Sequence, residues 1–238
     1  MLSDDEVQRA LVVVAHPDDA DFGSAGTIAA WTKVGIAVTY CIATSGDAGG
    51  FDAATPREQI PIMRQAEQRA AAAEVGVSDV RFLDHRDGAV VAGPDLVRDI
   101  ARVIRQVRPQ RVLTQSPERN YRRLPASHPD HRAVGAAALD AVYPAARNPY
   151  AFPELLADEG LTDWVVPEVW LGAHPTADHY VDITDTFDRK LAALRAHTSQ
   201  TGHMDDLEGL LRGWLGANAR SAGLPAGRLA ESFFVITV

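Results

Sequence analysis

Leu11-Val12-Val13-Val14-Ala15 runs directly into His16-Pro17-Asp18-Asp19, and this stretch decides the fold. The first five residues are apolar at every position, the pattern of a strand buried on both faces rather than half-solvated. Such strands belong to parallel sheets covered by helices. The four residues that follow place one imidazole and two carboxylates just beyond the strand's carboxyl end. In open parallel sheets, that is where ligands bind.

Working outward, the same alternation continues. Gly26–Val34 reads as a helix and Ile36–Ala43 as the next strand. Ile60–Val75 is a long helix, Val80–Leu83 a strand and Asp95–Val107 a helix. Arg111–Thr114 is a strand after Pro109, and His131–Val142 is helical again. Strand–helix–strand spacing of this kind predicts an α/β fold, a mostly parallel Rossmann-like sheet with helices on both faces. The last third breaks the pattern. Trp164–Gly172, His179–Ile183 and Ser232–Val238 read as strands, with helices at Thr184–His197 and Asp206–Ala219. No linker composition marks a boundary, so residues 1–238 are expected to form one domain with a C-terminal elaboration. The apolar Phe233–Val238 is expected to pair within the sheet or across the subunits of a homo-oligomer. Gly49–Pro61 and Pro144–Asp163 are expected to wall the substrate site, because loops on a rigid sheet carry specificity.

Composition narrows the function. Lys and Arg number 23 against 32 Asp and Glu, a formal net charge of −9. A nucleic-acid partner would call for a basic footprint, and an anionic membrane surface would repel this chain. The N-terminal apolar run is five residues, too short for a secretory or spanning segment. A single cysteine, Cys41, excludes an internal disulfide framework. The expectation is a soluble, cytoplasmic protein with a small-molecule partner.

A second dense cluster, His128-Pro129-Asp130-His131, follows the Arg111–Thr114 strand and opens a helix. Proline suits the first helical turn, and a spacing of three puts both histidines near one face. A dinucleotide site would need a glycine fingerprint after the first strand. HPDDADFGSAG instead fills that turn with acids that repel a pyrophosphate. Asp18 or Asp19 could simply cap the following helix, and lone histidines are commonly surface residues. Two His/Asp clusters at the ends of two strands favour a site. Two imidazoles and one carboxylate make a common open zinc site, a further carboxylate can take a proton from water, and a spare histidine can give one. The residues alone do not choose between Asp18 and Asp19, or between His128 and His131.

These two motifs resemble those of the GlcNAc-phosphatidylinositol (PIG-L/LmbE-like) zinc-dependent de-N-acetylases. Gly23 and Gly26-Thr27, Arg64-x-x-Glu67, Phe82-Leu83 to Asp87-Gly88, Val181–Thr184 and His197-Thr198-Ser199-Gln200 are also similar to family patterns. The resemblance implies one Zn²⁺, with another divalent metal as the alternative, on His16, Asp19 and His131, and Asp18 as general base. It implies His128 as general acid or oxyanion stabiliser with Asp130 as its carboxylate partner. Arg64 would bind substrate, and Asp47 and Asp87 would lie near it. The implied reaction is removal of an N-acetyl or small N-acyl group from an amino-sugar-containing small molecule. The alternatives are a non-catalytic metal- or ligand-binding relative, or a deacylase acting on a non-sugar amide. The chain departs from the family at Ala20, commonly Glu, and at Ala25-Gly26, usually Gly-Gly. Ala126 stands where some mycothiol-pathway members have a tyrosine, a role that Tyr121 could fill by folding back. His174 and His179 are given a structural or surface role, and His197 a helix-terminus packing or hydrogen-bonding role.

Overall fold

The computed structural model describes residues 1–50, 55–121 and 123–238. Residues 51–54 of the expected Gly49–Pro61 wall therefore lie outside the described residues. The elements are β1 (Arg9–Val14), α1 (Asp19–Lys33), β2 (Ala37–Thr44), α2 (Ile60–Glu74), β3 (Asp79–His85), α3 (Pro94–Val107), β4 (Arg111–Gln115) and α4 (Pro129–Asp140). They continue with α5 (Glu154–Ala157), β5 (Glu168–Gly172), β6 (His179–Asp182), α6 (Phe187–Ala196), α7 (Thr198–Thr201), α8 (Leu207–Ser221) and β7 (Ala230–Thr237).

Among the described residues, seven strands form one sheet in the order β3-β2-β1-β4-β5-β7-β6. The first five are parallel, while β7 runs antiparallel between β5 and β6. Of the two expectations for the C-terminal strand, pairing within the sheet is the one observed. Alternate residues of the central strands feed two separate cores. Leu11, Val13, Cys41, Val112 and Leu171 pack under α3 and α4. Val12, Val14, Tyr40, Ile42 and Leu113 pack under α1 and α2. The apolar-throughout pattern of β1 is thus the signature of a strand with helices above and below. Ile183, Phe187 and Leu191 with Leu207, Leu211 and Leu215 make a third cluster beside α1. No helix of the described residues is long and apolar enough to cross a membrane.

Two helix and strand starts differ most from the sequence reading. α1 begins at Asp19 rather than Gly26, because Asp19 and Asp21 in its first turn suit the positive helix N-terminus and outweigh the two glycines. β5 begins at Glu168 rather than Trp164, directly after Pro167, which has no N–H to give a ladder. The expected wall Pro144–Asp163 is also displaced. Arg105 of α3 donates to the carbonyls of Ala145, Ala146, Asn148 and Ala151, and Trp164 Nε1 donates to Pro109 O ahead of β4. This segment is tied to the amino-terminal end of the sheet, away from the motifs.

Candidate active site

The strand order reverses between β1 and β4: one leads on to β2 and β3, the other to β5. A crevice opens at such a switch point, beyond the carboxyl ends of both strands. Both motifs sit there. Ala15 N donates to Gln115 Oε1 at 3.1 Å, tying the strand ends together. Gly135 lets α4 press on this edge, since a Cβ there would overlap the Gln115 carbonyl. His128 caps α4, its ring accepting from Asp130 N at 3.2 Å.

The three imidazoles of His16, His128 and His131 form a near-regular triangle, with ring centroids 5.1–5.2 Å apart. Asp19 joins two of them: Oδ2 lies 3.3 Å from His16 Nδ1 and Oδ1 lies 3.0 Å from His131 Nε2. The other nitrogen of His16 is 3.1 Å from Asp87 Oδ1 and 3.1 Å from Asp130 Oδ2. Burial opposes a charged His16, yet its contacts with Asp19 and Asp87 raise it to about 11. Burial likewise opposes ionisation of Asp19, and His131 and His16 overcome it, holding the carboxyl well below its usual range. His128 is lowered by burial and by the two neighbouring imidazoles. The crevice therefore draws positive charge to its centre.

Asp18 does not cap α1. Its side chain makes no capping bond, and its backbone lies in the left-handed region at φ 86°. A non-glycine residue there is strained and must be held by its surroundings. Arg64 Nη2 donates to Asp18 Oδ2 at 3.1 Å and to Pro17 O at 2.6 Å, while Gln68 Oε1 accepts from Asp18 N at 2.8 Å. Burial and the neighbouring Asp19 raise the Asp18 carboxyl to about 7, against the pull of Arg64.

Several residues expected at the site take other positions. The Asp130 carboxylate does not meet the His128 side chain. It is 1% exposed, faces His16 and accepts from Gly88 N and Val90 N, because the first turn of α4 aims it at the loop after β3. Arg64, expected to meet substrate, is 4% exposed and turned onto Asp18, Pro17 and Gly46 O. Gly46, at φ +70°, admits it: a Cβ would collide with the guanidinium. Asp87 reaches His16, whereas Asp47 braces the same loop by accepting from Asp87 N at 3.0 Å. Tyr121 is 86% exposed and does not fold back.

A cavity of about 340 Å³ extends from Asp19 and His131, walled by Phe22, Asn120, Arg123 and Trp214. Trp214 belongs to no motif, and its α8 helix lies well beyond the last parallel strand, so only the fold brings it to the crevice. Gln68 and Asp21, buried partners of Asp18, were missed because neither belongs to a recognisable ligand motif.

His16, Asp19 and His131 fit a divalent ion. The ring nitrogens of His16, His128 and His131 lie within 4.8 Å of one another, Asp19 bridges His16 and His131, and Asp87 and Asp130 flank the other nitrogen of His16, the carboxylate–imidazole contacts that orient a ligating ring. The donor set has no thiolate, consistent with Cys41 being buried in the sheet core.

Known proteins resemble this chain over most of its length. The chain is 35% identical over 202 residues to a probable N-acetyl-α-D-glucosaminyl L-malate deacetylase 2 of Bacillus cereus, covering 83% of this chain and 86% of that one. It is 32% identical over 195 residues to the diacetylchitobiose deacetylase of Thermococcus kodakarensis, covering 82% and 71%. The structure of N,N′-diacetylchitobiose deacetylase from Pyrococcus horikoshii superposes with a TM-score of 0.88 at 28% identity, covering 98% and 85%. Residues 11–142, which carry both motifs, match the GlcNAc-PI de-N-acetylase (PIG-L) family, and the chain belongs to that family.

Proposed function

We propose that His16, Asp19 and His131 hold a zinc ion with which this PIG-L-family deacetylase removes the acetyl group from an N-acetylated amino sugar. The observation that carries the reading is the convergence of those three ligands beside a fourth group, Asp18, that is held but not used as a ligand or cap. A zinc ion held there supplies a Lewis acid for the amide carbonyl and makes water acidic enough to attack near neutral pH.

The chain's own residues divide the remaining work. Asp18 takes the proton from the attacking water, with Arg64 fixing its carboxylate. The acetyl carbonyl carbon gains the water oxygen and loses the sugar nitrogen, yielding acetate and a free amine. His128 accepts a backbone hydrogen bond at Nδ1, so its neutral ring bears the proton on Nε2, the atom positioned to donate to the developing oxyanion or leaving amine. Asp130 and Asp87 orient His16. The cavity beside His131 has room for a sugar ring, with Phe22 and Trp214 as apolar walls.

The relatives named for GlcNAc–malate and diacetylchitobiose support an N-acetylglucosaminyl substrate. Incubating zinc-loaded protein with a library of N-acetylated glycosides and reading mass losses of an acetyl group tests this. Deacetylation of at least one N-acetylglucosaminide is expected; an unchanged library would contradict the reading.

A further inference from the structure

The geometry points to a second layer behind the base: we infer that Gln68, Asp21 and His197 act together as positioning residues that lock the strained backbone of Asp18. The inference rests on the reading of Asp18 as the base. Arg64 and Gln68 lie one turn apart on the same face of α2, so that helix grips Asp18 at both ends. Arg64 takes the carboxylate, and Gln68 Oε1 takes the backbone N–H at 2.8 Å.

The amide of Gln68 is itself fixed. Its Nε2 donates to Asp21 Oδ2 at 2.8 Å, and the same oxygen lies 2.8 Å from His197 Nε2. Asp21 N donates to Asp18 O at 2.9 Å, which closes the circuit. Both polar groups of the Asp18 backbone are thus committed: the N–H to Gln68 and the carbonyl to the backbone N–H groups of Asp21 and Phe22. Gln68, Asp21 and His197 are each 0% exposed.

Simple packing does not account for this layer. Asp21 Oδ1 and His197 Nδ1 are buried without a hydrogen-bond partner among the described residues. A buried polar atom left unpaired is unfavourable, and apolar residues of similar volume commonly fill such a space at least as well. What the polar set adds is direction. Asp21 accepts from the Gln68 amide, so the Gln68 carbonyl oxygen must turn to Asp18. Reversal of that amide would set two acceptors against each other and release the Asp18 N–H. His197 closes α6, so the C-terminal elaboration reaches the base through this contact.

Three variants test the inference in the zinc-loaded enzyme: Gln68→Met, His197→Leu and His197→Gln. The last keeps an N–H donor near the position of Nε2. Gln68→Met and His197→Leu are expected to lower kcat by about 10–100-fold, the loss typical of a misplaced catalytic group. KM and zinc content should stay within about twofold of wild type by the same reasoning, because neither residue lines the cavity or binds metal. His197→Gln should restore most of the rate. Independently of activity, amide hydrogen exchange in the peptide spanning residues 16–22 should accelerate about tenfold or more in Gln68→Met.

Folded, zinc-replete Gln68→Met with wild-type kcat and unchanged exchange would overturn the inference. So would rate losses in His197→Leu that His197→Gln fails to restore. If Gln68→Met does not fold, the His197 pair decides. Failure of the reading beneath it would look different, since the wild-type enzyme would then release no acetate.

Discussion

The two ends of β4 carry buried charge in opposite states of balance. At the amino-terminal end, Arg111 is 1% exposed and fully matched. It donates to Glu168 Oε1 and Asp4 Oδ1 at 2.7 Å each and to Leu2 O at 3.0 Å, and lies over the rings of Trp31 and Trp170. Glu168 also accepts from Trp170 Nε1 and Leu2 N. At the carboxyl-terminal end, Asp19, Asp87 and Asp130 surround one imidazole, and among the described residues no lysine or arginine is ion-paired with any of them. One cluster is closed by the protein's own atoms. The other leaves its carboxylates matched only by imidazoles, an arrangement suited to a cation, and that difference separates a structural ion pair from a candidate site.

The contrast predicts opposite consequences for substitutions at the two ends. The largest effect is expected at the open end: His16→Ala should leave the purified protein with almost no bound zinc and no measurable turnover. Elemental analysis of the purified protein reads this directly, and stoichiometric zinc in that variant would break the comparison. At the closed end, Glu168→Leu removes the buried partner of Arg111, leaving it Asp4 and Leu2 O, and should cost about 3–5 kcal/mol of stability. The rate per folded molecule should not change. Chemical denaturation and an activity assay at matched folded fraction separate the two, and a rate loss there would mean the ends are coupled.

A smaller effect sharpens the open end. Asp130→Asn keeps the shape but weakens the partner of His16, and zinc affinity should fall about 10–100-fold, as for other carboxylates behind a ligating histidine. Competition with a chelator measures it. The smallest effect concerns His179, whose ring packs on Trp170 at 4.7 Å beside Arg111. Burial and the Arg111 charge lower its pKa from 6.5. The unfolded chain therefore binds the proton more readily. This contribution is fully present above about pH 6.5 and is lost as the pH falls through that value towards the lower folded-state pKa. His179→Phe should flatten that part of the stability–pH curve; an unaltered curve would remove His179 from the balance.

Much of this was legible in the sequence because it depends on local pattern. The run Leu11–Ala15 fixes a doubly covered strand, and a His/Asp motif after each of two such strands marks one crevice once the strands are parallel neighbours. The reading failed where a side chain's direction depends on distant backbone. Asp130 adjoins His128 in sequence, yet the helix start swings its carboxylate to the loop after β3. Arg64 looks like any arginine on a solvated helix, and only its contacts with Gly46, Pro17 and Asp18 in the fold show it turned inward. Asp21 read as one of several acids in a turn, but its contacts with Gln68 and His197 span 47 and 176 residues of chain. No local pattern encodes pairings of that range.

The central claim is that the open cluster holds zinc and that Asp18, beside it, moves the proton. The most direct test measures acetate release from N,N′-diacetylchitobiose or another N-acetylglucosaminide by wild type and Asp18→Asn, both loaded with zinc to the same stoichiometry. The account predicts equal metal content and a rate reduced by about 10²–10⁴-fold in the variant. A zinc-replete Asp18→Asn enzyme that turns over at the wild-type rate would contradict it.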